Sequence, residues 1–182
     1  MFSEALSQII ERLAQAQKAR LLHSYALIGG FAVSAWGVAR ATQDIDLAVA
    51  LGTSDPYVLA TRLGATYEPG GIDDPLQGVF RLNLRCEGQE VPVQLIVLPS
   101  QFAAIAFNQI QTLRVLDCSV PVVNWQALVL LKLFAGGPID IQDARNILAV
   151  RKPGETQRQD LIVQADVLGL SKEMRALLGP VA

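Results

Sequence analysis

Thirteen residues separate a glycine pair, Gly29-Gly30, from an acid pair, Asp44-Ile45-Asp46, and each pair lies against a run of apolar residues. Tyr25 to Ile28 and Gln43 to Ala50 read as strands, and Phe31 to Trp36 as a short helix closed by Gly37. The chain must therefore make a strand, a tight turn, a helix and a second strand in quick succession. Residues i and i+2 of a strand share a face roughly 6.5 Å apart, so Asp44 and Asp46 converge while Ile45 enters the core. Two acids on one face repel each other unless a cation or a basic partner offsets them. A glycine turn at a helix start offers backbone N–H groups to an anion. The two features together point to a metal-phosphate site. The bland alternatives are an ordinary tight turn and a solvated edge strand on which Arg40 neutralises the acids.

Apolar periodicity places the remaining elements. Leu6, Ile9, Ile10, Leu13 and Ala16 follow helical spacing over residues 3 to 22, and Asp55-Pro56 starts a helix to Leu63. Residues 68 to 75, rich in Gly, Pro and Asp, read as a loop, and Val79 to Cys86 with Val91 to Leu98 as a hairpin. A helix from Pro99-Ser100 to Phe107 and one or two edge strands within Leu113 to Val122 come next. Asn124 caps an apolar helix, Trp125 to Ala135, stopped by Gly136-Gly137-Pro138. A helix from Asp140 to Val150 and two more beyond the linker 151–154 complete the chain. The expected class is α/β, of the α+β kind: a mixed β-sheet flanked by helices over residues 1–123, with a helical C-terminal extension over 124–182 packed on it.

Composition removes several classes of function. The 182 residues suffice for one substantial core, and a net charge of −2 argues against binding nucleic acid through a broad basic surface. Charged residues are 18% of the chain against about 25% in an average domain, so part of the apolar surface is expected to meet a partner or a second copy. The single histidine, His23, excludes His-rich metal sites and reads as a helix-end residue, and Cys86 and Cys118 lack metal or redox spacing. Charges interrupt every apolar run and punctuate the N-terminus, so neither a membrane span nor a secretory leader is expected, and the cytoplasm is the expected compartment.

Gly29-Gly30, Arg40, Thr42 and Asp44-Ile45-Asp46 resemble the signature of the nucleotidyltransferase superfamily, which has the polymerase β-like fold. That signature is a hydrophobic residue, Gly-Gly or Gly-Ser, a short helix, then Asp-hydrophobic-Asp/Glu. The segment from Lys132 through Ala135 to Asp140 and Asp143 is similar to a region downstream in the minimal, AbiEii-like branch, which includes bacterial toxin-antitoxin and phage-defence proteins. The resemblance implies Mg²⁺ (or Mn²⁺) held by Asp44 and Asp46 against the triphosphate of an NTP such as ATP. It implies Gly29 and Gly30 at the β/γ phosphates, Arg40 and Thr42 supporting the loop or touching phosphate, and Lys132 adding positive charge. The implied reaction is transfer of NMP to a hydroxyl of RNA, protein or a small molecule, with an antitoxin or a homo-oligomer as partner.

One departure bears on the chemistry. The superfamily places a third carboxylate on a later strand, and Gln94 stands there in this chain. An amide oxygen can ligate a metal weakly or accept a hydrogen bond, but it cannot serve as a base. Either two acids suffice, or the chain is a catalytically reduced nucleotide-binding or toxin-antitoxin module. Gln94 can also be read as an outward residue of an edge strand, given Pro92. Lys132, amid leucines, must either snorkel to solvent or meet an anion, and Asp140 and Asp143 either favour the start of their helix or join the site.

Overall fold

The amphipathic spacing at the start of the chain folds as α1, Phe2–Lys18, with Leu6, Ile9 and Leu13 fully buried. The computed structural model describes residues 1–53, 55–72 and 74–179; Asp73, in the expected loop, and the last three residues of the expected extension lie outside them. Helix α1 ends earlier than its spacing predicts, because Arg20 turns into the left-handed region and β1, Leu22–Leu27, begins at once. His23 is thereby an exposed strand residue, not a helix-end one.

After α2, Gly29–Ala35, come β2, Ile45–Leu51, α3, Pro56–Leu63, β3, Thr66–Pro69, β4, Gly78–Cys86, and β5, Gln89–Val97. Then follow α4, Ser100–Asn108, β6, Gln111–Val115, β7, Cys118–Val122, and the helices α5, Trp125–Ala135, α6, Pro138–Arg151, α7, Glu155–Val167, and α8, Ser171–Leu178. The result is an α+β fold around one seven-stranded mixed sheet in the order β3-β4-β5-β2-β1-β7-β6. Among the described residues no helix is long and apolar enough to cross a membrane.

Two short turns set the register. Glu87-Gly88 and Leu116-Asp117 both have positive φ at the two turn positions, the geometry that joins antiparallel strands through two residues. The first pairs Cys86 with Gln89 and carries Arg81 opposite Gln94. Strand β3 extends into the expected loop, taking in its first two residues, Glu68 and Pro69, after Thr66 and Tyr67. Thr66 and Tyr67 pair with Arg81 and Phe80, and the Tyr67 ring packs against Phe80 and Tyr57 before Pro69-Gly70-Gly71 takes over.

Strand β5 is not an edge strand: β4 flanks it on one side and β2 on the other. Pro92 is tolerated because the two-residue turn makes Arg85/Glu90 and Asn83/Pro92 the non-hydrogen-bonded pairs of the hairpin. The Pro92 nitrogen therefore faces β2, whose pairing with β5 starts one residue later at Val93. Similarly, of the two strands within Leu113 to Val122 only β6 is an edge, since β7 runs parallel to β1.

Alternation divides the sheet into two faces. Ile45, Leu47 and Val49, with Val93, Leu95, Leu82 and Leu84, form the face under α1 and α3. The opposite face carries Asp46, Ala48 and Ile96 under α4 and α5, while its β4 side, with Arg81 and Asn83, is exposed. Helix α5 is buried from Trp125 to Leu133 apart from Gln126, because the sheet lies on one side and α6 and α7 on the other. Asn124 starts it, accepting the Ala127 N–H at 2.7 Å.

Candidate functional site

The β1–α2 turn and the head of β2 meet through the backbone, where the Ile28 N–H donates to the Asp46 carbonyl at 2.9 Å. Gly29, at φ 64°, passes directly over the Asp46 side chain, and a Cβ added there would stand 2.7 Å from the Asp46 Cβ. Gly30 lies as close to Thr42, whose Cβ would be 2.8 Å from a Cβ on that glycine. Thr42 Oγ1 in turn donates to Asp44, with oxygens 3.1 Å away on the carboxylate and 3.2 Å on the carbonyl. The glycines thus serve as spaces into which the acid-bearing segment packs. Asp44 precedes β2 in a bend, with Thr42 holding it, and Asp46 is the strand residue of the pair.

Gly29→Ala is expected to destabilise the fold by about 1 to 3 kcal/mol, from the left-handed φ and the overlap with Asp46. The check is chemical denaturation; a variant within 0.5 kcal/mol of the parent, roughly the scatter of neutral surface changes, would show that the turn adapts freely.

Gly29, Asp46, Lys132 and Asp140 share a pocket of about 300 Å³, whose apolar wall is formed by Ile96, Leu128, Leu131 and Phe134. A larger, shallower cleft of about 600 Å³ opens at the other end of β1 and β2, beside His23, Ser24 and Asn108. No Asp, Glu, Lys or Arg lines it, whereas the smaller pocket holds Asp46, Lys132 and Asp140.

Lys132 does not snorkel. Its ammonium sits 2.7 Å from Asp140 Oδ1 and 2.9 Å from Asp143 Oδ2, and Arg40 Nε reaches the same Asp143 oxygen at 3.2 Å. Asp143 is only 4% exposed at its side chain, and these two cations are its charge partners inside the protein. This network joins the loop before β2 to helices α5 and α6. The sequence links neither Arg40 nor Lys132 to Asp143, because the partners are 103 and 11 residues apart and meet only through tertiary packing.

Lys132 and Arg40 are paired with Asp140 and Asp143, and among the described residues neither Asp44 nor Asp46 makes an ion pair of its own. Burial pushes the Asp46 carboxyl up to about 6, and Asp44 beside it pushes the same way. Lys132 opposes this, Asp140 adds to it and Arg40 opposes it, leaving the net direction upward. Among the described residues no group of three or more His, Cys, Asp or Glu is arranged to hold a metal.

Gln94 is the register partner of Asp46 on β5 and faces the same side of the sheet. Its amide oxygen accepts from Arg81 Nη1 at 3.0 Å, and Arg81 Nε meets Glu68 at 3.2 Å. Arg81 is the neighbour that sequence reasoning missed, although a two-residue turn at Glu87-Gly88 already pairs it with Gln94. The row Asp46, Gln94, Arg81 therefore crosses three adjacent strands on one face. No protein-family model matches this chain, and no curated protein is significantly similar to it in sequence.

Proposed function

We propose that the chain binds a nucleoside triphosphate as its complex with Mg²⁺ or Mn²⁺ at Asp44 and Asp46, and transfers the nucleotidyl group to an acceptor nucleophile. The observation that carries this reading is the charge balance of the pocket. Asp140 and Asp143 are matched by Lys132 and Arg40, while Asp46 sits desolvated beside Asp44 with its carboxyl raised to about 6. A divalent cation is the natural counter-charge for such a pair. Two acids satisfy only part of the octahedral shell of Mg²⁺, and a triphosphate with water would supply the rest. The cation, when bound, would neutralise charge on the phosphate chain. The apolar wall of Ile96, Leu128, Leu131 and Phe134 is a surface of the kind that takes a flat base. The resemblance of the two motifs to nucleotidyltransferases supports the same reading.

A second reading keeps nucleotide binding without turnover, the chain acting as a sensor or as one member of a toxin-antitoxin pair. Gln94 favours it, because the position beside Asp46 holds an amide tied to Arg81 and offers no base.

Thermal shift with Mg-ATP, Mg-GTP, Mg-CTP and Mg-UTP tests the binding. Stabilisation by at least one of them is expected, with loss in both Asp44→Ala and Asp46→Ala. Equal shifts in the parent and the two variants would place the nucleotide elsewhere. Incorporation of label from α-³²P-NTP into acceptors separates the enzyme from the sensor.

A further inference from the structure

The third position of the acid row carries the opposite chemistry to a base. A guanidinium can only donate, so Gln94 must offer its oxygen to Arg81, and the NH₂ of the same planar amide is turned away from that contact. Of the five N–H groups of a guanidinium, the structure engages one at Nε with Glu68 and one at Nη1 with Gln94. Two strands from Asp46, roughly 10 Å at the usual strand spacing, the face thus carries the Arg81 guanidinium, ion-paired with Glu68 on one edge and with further N–H groups left to donate, and an amide donor lies between Asp46 and Arg81. Arg81 lies on the exposed part of that face, reachable by a second substrate lying beside the nucleotide pocket.

A hydroxyl acceptor is a poor match for this arrangement. It must lose its proton as it attacks, and nothing at the third position can take one. An acceptor already ionised at neutral pH needs no base, and its negative charge is what Arg81 and the Gln94 amide would hold. Given the nucleotide reading above, on which this rests, we infer that the acceptor is a phosphomonoester and that Arg81 with Gln94 is its recognition element. A phosphate oxygen of the acceptor attacks the α-phosphorus of the NTP and forms a new P–O–P linkage. The bond from the α-phosphorus to the α–β bridging oxygen breaks, and its electron pair leaves on pyrophosphate. No proton moves in the step. The product is a nucleoside diphosphate ester of the acceptor, and any further enzyme acting on it would use the activated pyrophosphate link.

The test uses the full chain with Mg²⁺ and α-³²P-NTP. The probes are glycerol 3-phosphate, ribose 5-phosphate and glucose 1-phosphate, each beside its phosphate-free counterpart. Labelled product resistant to alkaline phosphatase is expected with at least one phosphomonoester and with none of the free alcohols. In Arg81→Ala the KM for that acceptor should rise about tenfold or more, the scale of one lost charge-assisted contact, with kcat within about threefold. Arg81→Lys should recover part of the loss. Gln94→Asp, which sets a carboxylate where the acceptor charge would lie, should lower transfer by about tenfold.

Labelling of hydroxyl-only acceptors, an unchanged acceptor KM in Arg81→Ala, or nucleotide binding without transfer to any of the three esters would each overturn the inference while sparing the nucleotide site. Absence of any thermal shift with Mg-NTP would overturn both. A melting temperature for Arg81→Ala matching the parent excludes misfolding as the cause of a KM change.

Discussion

Asparagine in place of Asp46 is expected to make the ligand-free protein more stable at pH 8, by about 2 to 3 kcal/mol, while removing its response to a magnesium nucleotide. The folded protein holds the Asp46 carboxyl at about 6, above its ordinary 3.8, because burial and the neighbouring Asp44 disfavour ionisation. The folded state therefore binds this proton more tightly than the unfolded chain does. The associated stability is fully present below pH 3.8 and is lost as the pH rises through about 6. Asparagine has no such loss, so the melting curves of parent and variant should nearly coincide at pH 4 and separate by several degrees at pH 8. A variant no more stable than the parent at pH 8 would mean that Asp46 is already well compensated, and the case for cation binding there would fall with it.

The second large effect concerns Lys132. Replacing it with Met keeps the helix and its apolar bulk but leaves Asp140 and the nearly inaccessible Asp143 with Arg40 as the remaining cation. Removing one partner of a buried pair typically costs about 3 to 5 kcal/mol. The lower end is expected here, because Arg40 still reaches Asp143 and Asp140 is 27% exposed. Adding Asp143→Asn should return part of the loss, since it removes the stranded charge. Urea denaturation of the single and double variants measures this coupling. A single variant that loses less than about 1 kcal/mol would put the ion network in the weak, surface class.

Local chemistry made much of this fold readable in advance. The Gly29-Gly30 turn, the strand that carries Asp46, the β4–β5 hairpin and the Asn124 cap all follow from conformational preferences that act within a few residues, although the hairpin turn takes two residues, Glu87-Gly88, where the apolar pattern leaves four between the strands. What could not be read depends on partners distant in the chain. β3 escapes notice because it is only four residues long and runs straight into Pro69-Gly70-Gly71, yet pairing with β4 and the Tyr67–Phe80 contact are enough to form it. Pro92 suggests an edge strand only while the side on which its nitrogen lies is unknown. Lys132 looked equally ready to reach water or an anion, and only packing of α5 against α6 shows it between two carboxylates. The glycines are a fourth case. Their small size is required by Asp46 and Thr42 pressing against them, a demand that no local pattern reveals.

The ion pair between Arg40 and Asp143 spans more than half the length of the chain, and the Trp36 indole N–H reaches the Val123 carbonyl close to where α5 begins. Truncation after residue 123 would strip the sheet of the helix that covers its Asp46 side and deprive the acid-bearing loop of its anchor. The helical tail is thus a structural creditor of the front end: a clipped fragment would expose an oily surface and clump in solution, whatever residues of the motif it still displayed.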